Sequence, residues 1–230
     1  MELKRSGSNG APEDPAEVTC DERLLVAHRK GLLWSHILAP THDSGVTVSD
    51  FDEMYRPNED HDAIRAATRD ICEGKVAQFA AEADEKAEFP QASFDALKAA
   101  DLHAPHIPEQ YGGFGADALA TVIIIEEIAR VCASSSLIPA VNKLGTVPLI
   151  LAASDEIKQK YFPQVAEGKM FSYCLSEAEA GSDAASMKTR AVRDGDDYVL
   201  NGQKVWISNA GVSDFYTVFA VTDPETVSYT

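Results

Sequence analysis

Between Tyr173 and Asn209 the chain reads YCLSEAEAGSDAASMKTRAVRDGDDYVLNGQKVWISN, a stretch dense in turn chemistry, small residues and placed polar groups. Its chemistry is that of close main-chain approach and positioned hydroxyls. Phe171 to Ser176 is a short apolar-rich run suited to a strand. It opens into Glu177-Ala178-Glu179-Ala180-Gly181-Ser182-Asp183, a loop of small and acidic residues in which a backbone can come near a ligand. Thr189 to Arg193, Tyr198 to Leu200 and Gln203 to Ser208 read as further strands. Asp194-Gly195-Asp196-Asp197 separates the first two, and Asn201-Gly202, a strong hairpin signal, separates the last two. Trp206 and Ser208 stand two residues apart, so they are expected on one face of their strand, with Trp206 buried.

Other groupings are weaker. Ser182 lies in A-G-S-D rather than G-x-S-x-G, and no histidine follows His106, which argues against Ser–His hydrolysis. Gly113-Phe114-Gly115 begins a G-x-G without a preceding strand, and Ala118 stands at the third glycine, so a dinucleotide fingerprint is rejected. Glu126-Glu127 invites an acid–base reading. Adjacent helical residues point about 100° apart, however, so one is expected in water and the other salt-bridged. Cys20, Cys72, Cys132 and Cys174 lack the spacing of a zinc site or a disulfide framework. His28, His36 and His42 are too irregular for metal ligation.

The elements before this stretch are helical. Residues 1–50 read as a poorly ordered extension, with 21–39 either a short docking helix or unfolded sequence. From Asn58, Ile64, Ala67, Ile71, Val76, Phe79 and Ala83 fall on one helical face as far as Glu88-Phe89-Pro90. A short helix with Phe94 and Leu97 ends near Asp101, and His103 to Gly115 is a loop. Asp117 to Cys132 is an apolar helix, and another runs from about Ser136 to Ala153 with Pro139 and Pro148 inside it. Ser154-Asp155 caps a last helix that closes at Gly168. The expected division is therefore 1–50, 51–168 all-helical, and 169–230 strand-rich, giving an α+β fold.

The chain has 230 residues and a formal net charge of −17, enough length for a sizeable core and the wrong sign for a nucleic-acid partner. No segment is read as reaching the roughly 18 apolar residues of a membrane span. The start lacks a signal peptide's pattern, so the expected compartment is the cytoplasm.

YCLSEAEAGSD followed at this spacing by WISN is similar to the paired flavin-binding segments of the acyl-CoA dehydrogenases, of the form Y-x-[LVM]-[ST]-E-x-x-A-G-S-D and W-I-[ST]-N. HIPEQYGGFGAD, the helix with IIIEEIARV and NGQKVWISNAG agree with it, so the resemblance spans residues 55 to 223, while Glu225 to Thr230 do not continue the pattern. The family often has Pro-Gly where Ala178-Glu179 stand. The resemblance implies a helical N-terminal domain followed by an antiparallel, barrel-like middle domain, incomplete in this chain, and FAD as cofactor. It places Tyr173, Cys174, Leu175, Ser176, Glu177, Gly181, Ser182, Trp206, Ile207 and Ser208 along the flavin. The backbone amides of Leu175 to Glu177 and the Ser176 hydroxyl would meet the pyrimidine edge of the ring. Ser182 would reach the pyrophosphate and the substrate's pantetheine channel, Trp206 would pack on the ring, and Ser208 would bond near its reactive nitrogen. Tyr111 would lie near the active-site entrance. The implied substrate is an acyl-CoA, the electron acceptor an electron-transfer flavoprotein, and the assembly a tetramer or a pairing with a C-terminal partner chain. The family's catalytic base belongs to a C-terminal helical bundle, so none is assigned to these residues. The alternative is a non-catalytic remnant or interaction module.

Overall fold

The computed structural model describes residues 18–20, 55–195 and 197–223. The rest of the N-terminal extension, including His28, His36 and His42, lies outside the described residues. Helix α1 (Glu59–Ile71) starts at Asn58, whose side chain accepts from the His61 amide at 2.9 Å while His61 Nδ1 accepts from the Asn58 amide at 3.2 Å. This reciprocal cap satisfies two helix-end donors. The helix passes through one π turn, Cys72–Val76, into α2 (Ala77–Lys86), which ends at Ala87 with φ +50°. The inward face carries His61, Ile64, Thr68, Cys72 and Val76. Ala67, expected on that face, is exposed, because the helical repeat brings Thr68 round instead.

Helix α3 (Gln91–Lys98) follows Pro90. Helix α4 (Ala118–Val131) is capped by Asp117, whose carboxylate accepts from the Ala120 amide at 2.7 Å and lies 3.1 Å from His61 Nε2. Helix α5 (Ala133–Ala152) contains both Pro139 and Pro148, and α6 (Asp155–Ala166) follows with Ser154 at its N-cap. By length and hydropathy α5 could cross a bilayer, contrary to the reading that no segment does. Its buried residues, among them Ile138, Val141, Asn142 and Leu149, pack in the protein core. One apolar cluster joins Val76, Leu97, Ile124, Ile128, Ile138 and Met170; a second joins Ile107, Leu149, Phe162, Val165 and Phe171.

Glu126 and Glu127 behave as adjacent helical residues should. Glu126 lies at the surface against Arg65 at 2.6 Å. Glu127 is buried and accepts from Arg65 at 3.0 Å, Arg69 at 2.8 and 2.9 Å and Arg130 at 3.2 Å, which ties α1 to α4.

Two small sheets follow. Strands β1 (Val18–Cys20), β4 (Asp197–Asn201) and β3 (Arg190–Asp194) form an antiparallel sheet in the order β1-β4-β3. A strand at Val18–Cys20 was not expected within the extension. Strands β2 (Phe171–Cys174) and β5 (Phe215–Val218) pair in parallel, with Tyr173 opposite Thr217. The strand-rich part is thus mixed rather than wholly antiparallel, and the described residues form no closed barrel. Gln203 to Ser208 is not a strand, so Asn201-Gly202 turns no hairpin. The β3–β4 turn lies at Gly195, which has φ +62°. Gly202 serves a different purpose: a Cβ there would sit 2.6 Å from the Thr189 Cα, so only glycine lets the two segments cross.

Candidate functional site

Helix α5 fixes the base of the site. Gly145 lies so close to β2 that a Cβ on it would come within 2.7 Å of the Phe171 Cβ. The buried Asn142 donates to the His103 carbonyl at 2.9 Å and accepts from the Phe171 amide at 2.8 Å. Thr217 Oγ1 donates to the Gly145 carbonyl at 2.6 Å. Strands β2 and β5 are therefore tied to the helical domain by side-chain to main-chain hydrogen bonds as well as by apolar packing.

Beyond β2 the chain makes a tight turn. The Glu177 amide donates to the Ala180 carbonyl at 3.0 Å, and the Ala180 amide returns to the Glu177 carbonyl at 3.3 Å. The Glu177 amide, expected to face a ligand, is thus committed to this turn. Its carboxylate is buried and accepts from the Lys188 amide at 2.5 Å, the Thr189 amide at 3.0 Å and Lys204 Nζ at 2.7 Å. Burial pushes the Glu177 carboxyl upward, but the Lys204 ammonium and the hydrogen bonds from residues 188 and 189 outweigh it and bring it down to about 2. It stays ionised at neutral pH.

Lys204 Nζ also donates to the Leu175 carbonyl at 2.9 Å, and the Val205 amide donates to the Ser176 carbonyl at 2.9 Å. Tyr173 to Glu177 and Lys204 to Ser208 consequently run side by side. The far end is held by Ser172, whose buried hydroxyl donates to the Ser208 carbonyl at 2.8 Å and lies 2.8 Å from Ser213 Oγ.

The expected site residues separate into two groups. Tyr173, Leu175, Ser176, Ile207 and Ser208 are partly buried and belong to the paired segments. The Tyr173 ring leans on Phe219 at 5.0 Å. Cys174 points inward, and burial pushes its thiol up to about 11, so only its main chain can face a ligand. Gly181 and Ser182 lie on an exposed loop, and nothing comes within 4 Å of a Cβ placed on Gly181. Trp206 corrects the sequence reading: it is 91% exposed and has φ +60°, so it neither packs in the core nor shares a strand face with Ser208. Asn209, at φ +62°, buries an Nδ2 that has no hydrogen-bond partner. Lys204, Ser172, Asn142 and Asn209 were not singled out from sequence; the burial of Glu177, which calls for a cation beside it, is set by contacts distant in sequence. Among the described residues, no three histidine, cysteine, aspartate or glutamate side chains cluster as metal ligands.

Comparison with known proteins decides the family. The N-terminal domain model of the acyl-CoA dehydrogenases matches residues 58–169, and the middle domain model of the same family matches residues 172–230. This chain belongs to the acyl-CoA dehydrogenase family. The second match includes residues 225–230, which had looked unlike the family pattern. A probable acyl-CoA dehydrogenase of Mycobacterium tuberculosis is 58% identical over 174 residues, covering 75% of this chain and 45% of that protein. Among solved structures, an acyl-CoA dehydrogenase of Bacillus anthracis complexed with FAD superposes with a TM-score of 0.66 at 33% identity, over 73% of this chain and 29% of that one. A chain from the structure of the electron transferring flavoprotein of Acidaminococcus fermentans gives a TM-score of 0.70 at 32% identity, over 74% of this chain and 46% of that one. The chain spans about half the length of the curated relatives it matches.

Proposed function

We propose that this chain binds FAD between its two aligned segments and forms the flavin-holding part of an acyl-CoA dehydrogenase, which converts an acyl-CoA thioester to its trans-2-enoyl form. One observation carries the reading: the Glu177–Lys204 pair sets Tyr173–Glu177 against Val205–Ser208, with an exposed indole at one end and an unpartnered buried amide at the other. An aromatic face in water and an orphan donor suit a flat, polar-edged ring. The main chain of Leu175 and Ser176 with the Ser176 hydroxyl would hold the ring's pyrimidine edge, Trp206 its face, Ser208 its reactive side, and Gly181 with Ser182 the pyrophosphate and the substrate's pantetheine. Bound FAD supplies the hydride acceptor; the residues around it orient it and place donors where negative charge gathers. The electron acceptor in this reading is an electron-transfer flavoprotein, and the compartment is the cytoplasm. A tetramer or a C-terminal partner chain completes the site.

A second reading, a non-catalytic binding module, is favoured by the state of the two buried carboxylates, Glu127 and Glu177. Glu127 and Glu177 are each brought down to about 2 by their cationic partners, so neither suits the role of proton acceptor from a substrate. The visible spectrum of the chain, saturated with FAD and passed through gel filtration, tests the shared claim. Retained flavin supports the site, and a colourless protein overturns it. Bleaching by an acyl-CoA then selects the dehydrogenase, and an unchanged spectrum selects the binding module.

A further inference from the structure

We infer that Lys204 is the positioning residue of the flavin site, setting both the spacing of the two ligand-facing segments and the direction of the Trp206 ring. This rests on the flavin reading above. Its side chain is 9% exposed, and its ammonium bridges the Leu175 carbonyl and the Glu177 carboxylate at 2.9 and 2.7 Å. Leu175 belongs to the first segment, and the next residue, Val205, is bonded to Ser176 of that segment. The same carboxylate receives the Lys188 and Thr189 amides, so one ion pair gathers three separate stretches of chain. Trp206 hangs between two anchors, Lys204-Val205 on one side and Ser208, held by Ser172, on the other.

The arrangement matters because Trp206 itself is unsupported. Its ring lies in water and its backbone adopts a left-handed conformation that a bulky residue avoids. The surroundings must impose that conformation: one residue earlier the Val205 amide is bonded to the Ser176 carbonyl, and the buried Lys204 ammonium holds the neighbouring Leu175 carbonyl. Loss of the Lys204 bonds releases the Leu175 carbonyl and the Val205–Ser176 register together. A ring built to grip a flat ligand then loses its direction even if the rest of the fold survives.

A merely structural ion pair predicts something different, and a pair of variants separates the two. Lys204→Met leaves the Glu177 carboxylate buried without its cation; Lys204→Met with Glu177→Gln removes that burden but still lacks the bond to Leu175. We expect both variants to bind FAD about tenfold or more weakly than the unaltered chain. Their retained flavin should have a visible spectrum shifted toward free flavin. In the absence of flavin, amide exchange should quicken at Val205 in both variants while the amides of α1 and α4 stay protected. The double variant recovering FAD affinity and spectrum to within about twofold would overturn the assignment, and so would unchanged exchange at Val205. An unaltered chain that takes up no flavin counts against the flavin reading instead, and the exchange measurement then decides the role of Lys204 alone.

Discussion

Two buried carboxylates divide this molecule. Glu127 lies in the seam between α1 and α4, and Glu177 lies where the two paired segments meet. Both are held down to about 2. Their partners differ: Glu127 has three arginines, all partly open to solvent, and Glu177 has one lysine nearly as buried as itself. The helical seam is redundant, because removing one guanidinium leaves two. Among the described residues the site has a single cation: the other donors to Glu177 are the neutral amides of Lys188 and Thr189. A scaffold can spread its electrostatics over several exposed groups, whereas a binding site that must fix an exact spacing concentrates them.

That contrast predicts its largest effect at Lys204. Replacing it with methionine strands a buried carboxylate and should lower stability by about 3 kcal/mol, measured by chemical denaturation. A loss no greater than that of a surface substitution would erase the distinction. A middle-sized effect should appear with pH. The folded Glu127 and Glu177 carboxyls titrate near 2 against an ordinary 4.5. The unfolded chain therefore binds more protons in that window, and stability present above 4.5 is lost as pH falls toward 2. His106 extends the loss upward. Its Nε2 lies 2.6 Å from Thr146 Oγ1, which itself donates to the Asn142 carbonyl at 2.7 Å, so the imidazole is the donor, and its buried Nδ1 has no partner. Burial, with Lys143 and His103 nearby, lowers it to about 3 from 6.5. Stability should begin to decline below 6.5, and His106→Gln should reduce the slope between 6.5 and 4.5, leaving the carboxylate decline and the share of His103, which burial also holds below its ordinary value. The smallest effect belongs to Arg65→Met, which leaves Arg69 and Arg130 on Glu127 and should shift Tm by only about 2 °C.

Most of the helical half was legible in the sequence. The start of α4 near Asp117, its apolar character and the opposed fates of Glu126 and Glu127 all follow from local chemistry and a 3.6-residue repeat. The site was legible as a pair of segments but not as a geometry. Asn201-Gly202 looks like a hairpin because the dipeptide supplies the right backbone freedom; here that freedom admits the crossing over Thr189, a contact distant in sequence. The parallel pairing of β2 with β5 joins strands separated by the whole loop system, which no local pattern encodes. Trp206 looked like a core residue because tryptophan usually is one. It is exposed on a left-handed stretch whose neighbours Lys204 and Ser208 bond to Leu175 and Ser172, contacts distant in sequence.

The sequence has two tryptophans, Trp34 and Trp206. In a Trp34→Phe variant the emission comes from Trp206 alone, which is 91% exposed. Titrating that variant with FAD asks directly whether the ring lies on the flavin. The account predicts an emission typical of a water-exposed indole, quenched saturably and in step with flavin retention on gel filtration. Retained flavin with Trp206 emission unquenched would contradict it, because the cofactor would then lie elsewhere than between the two segments.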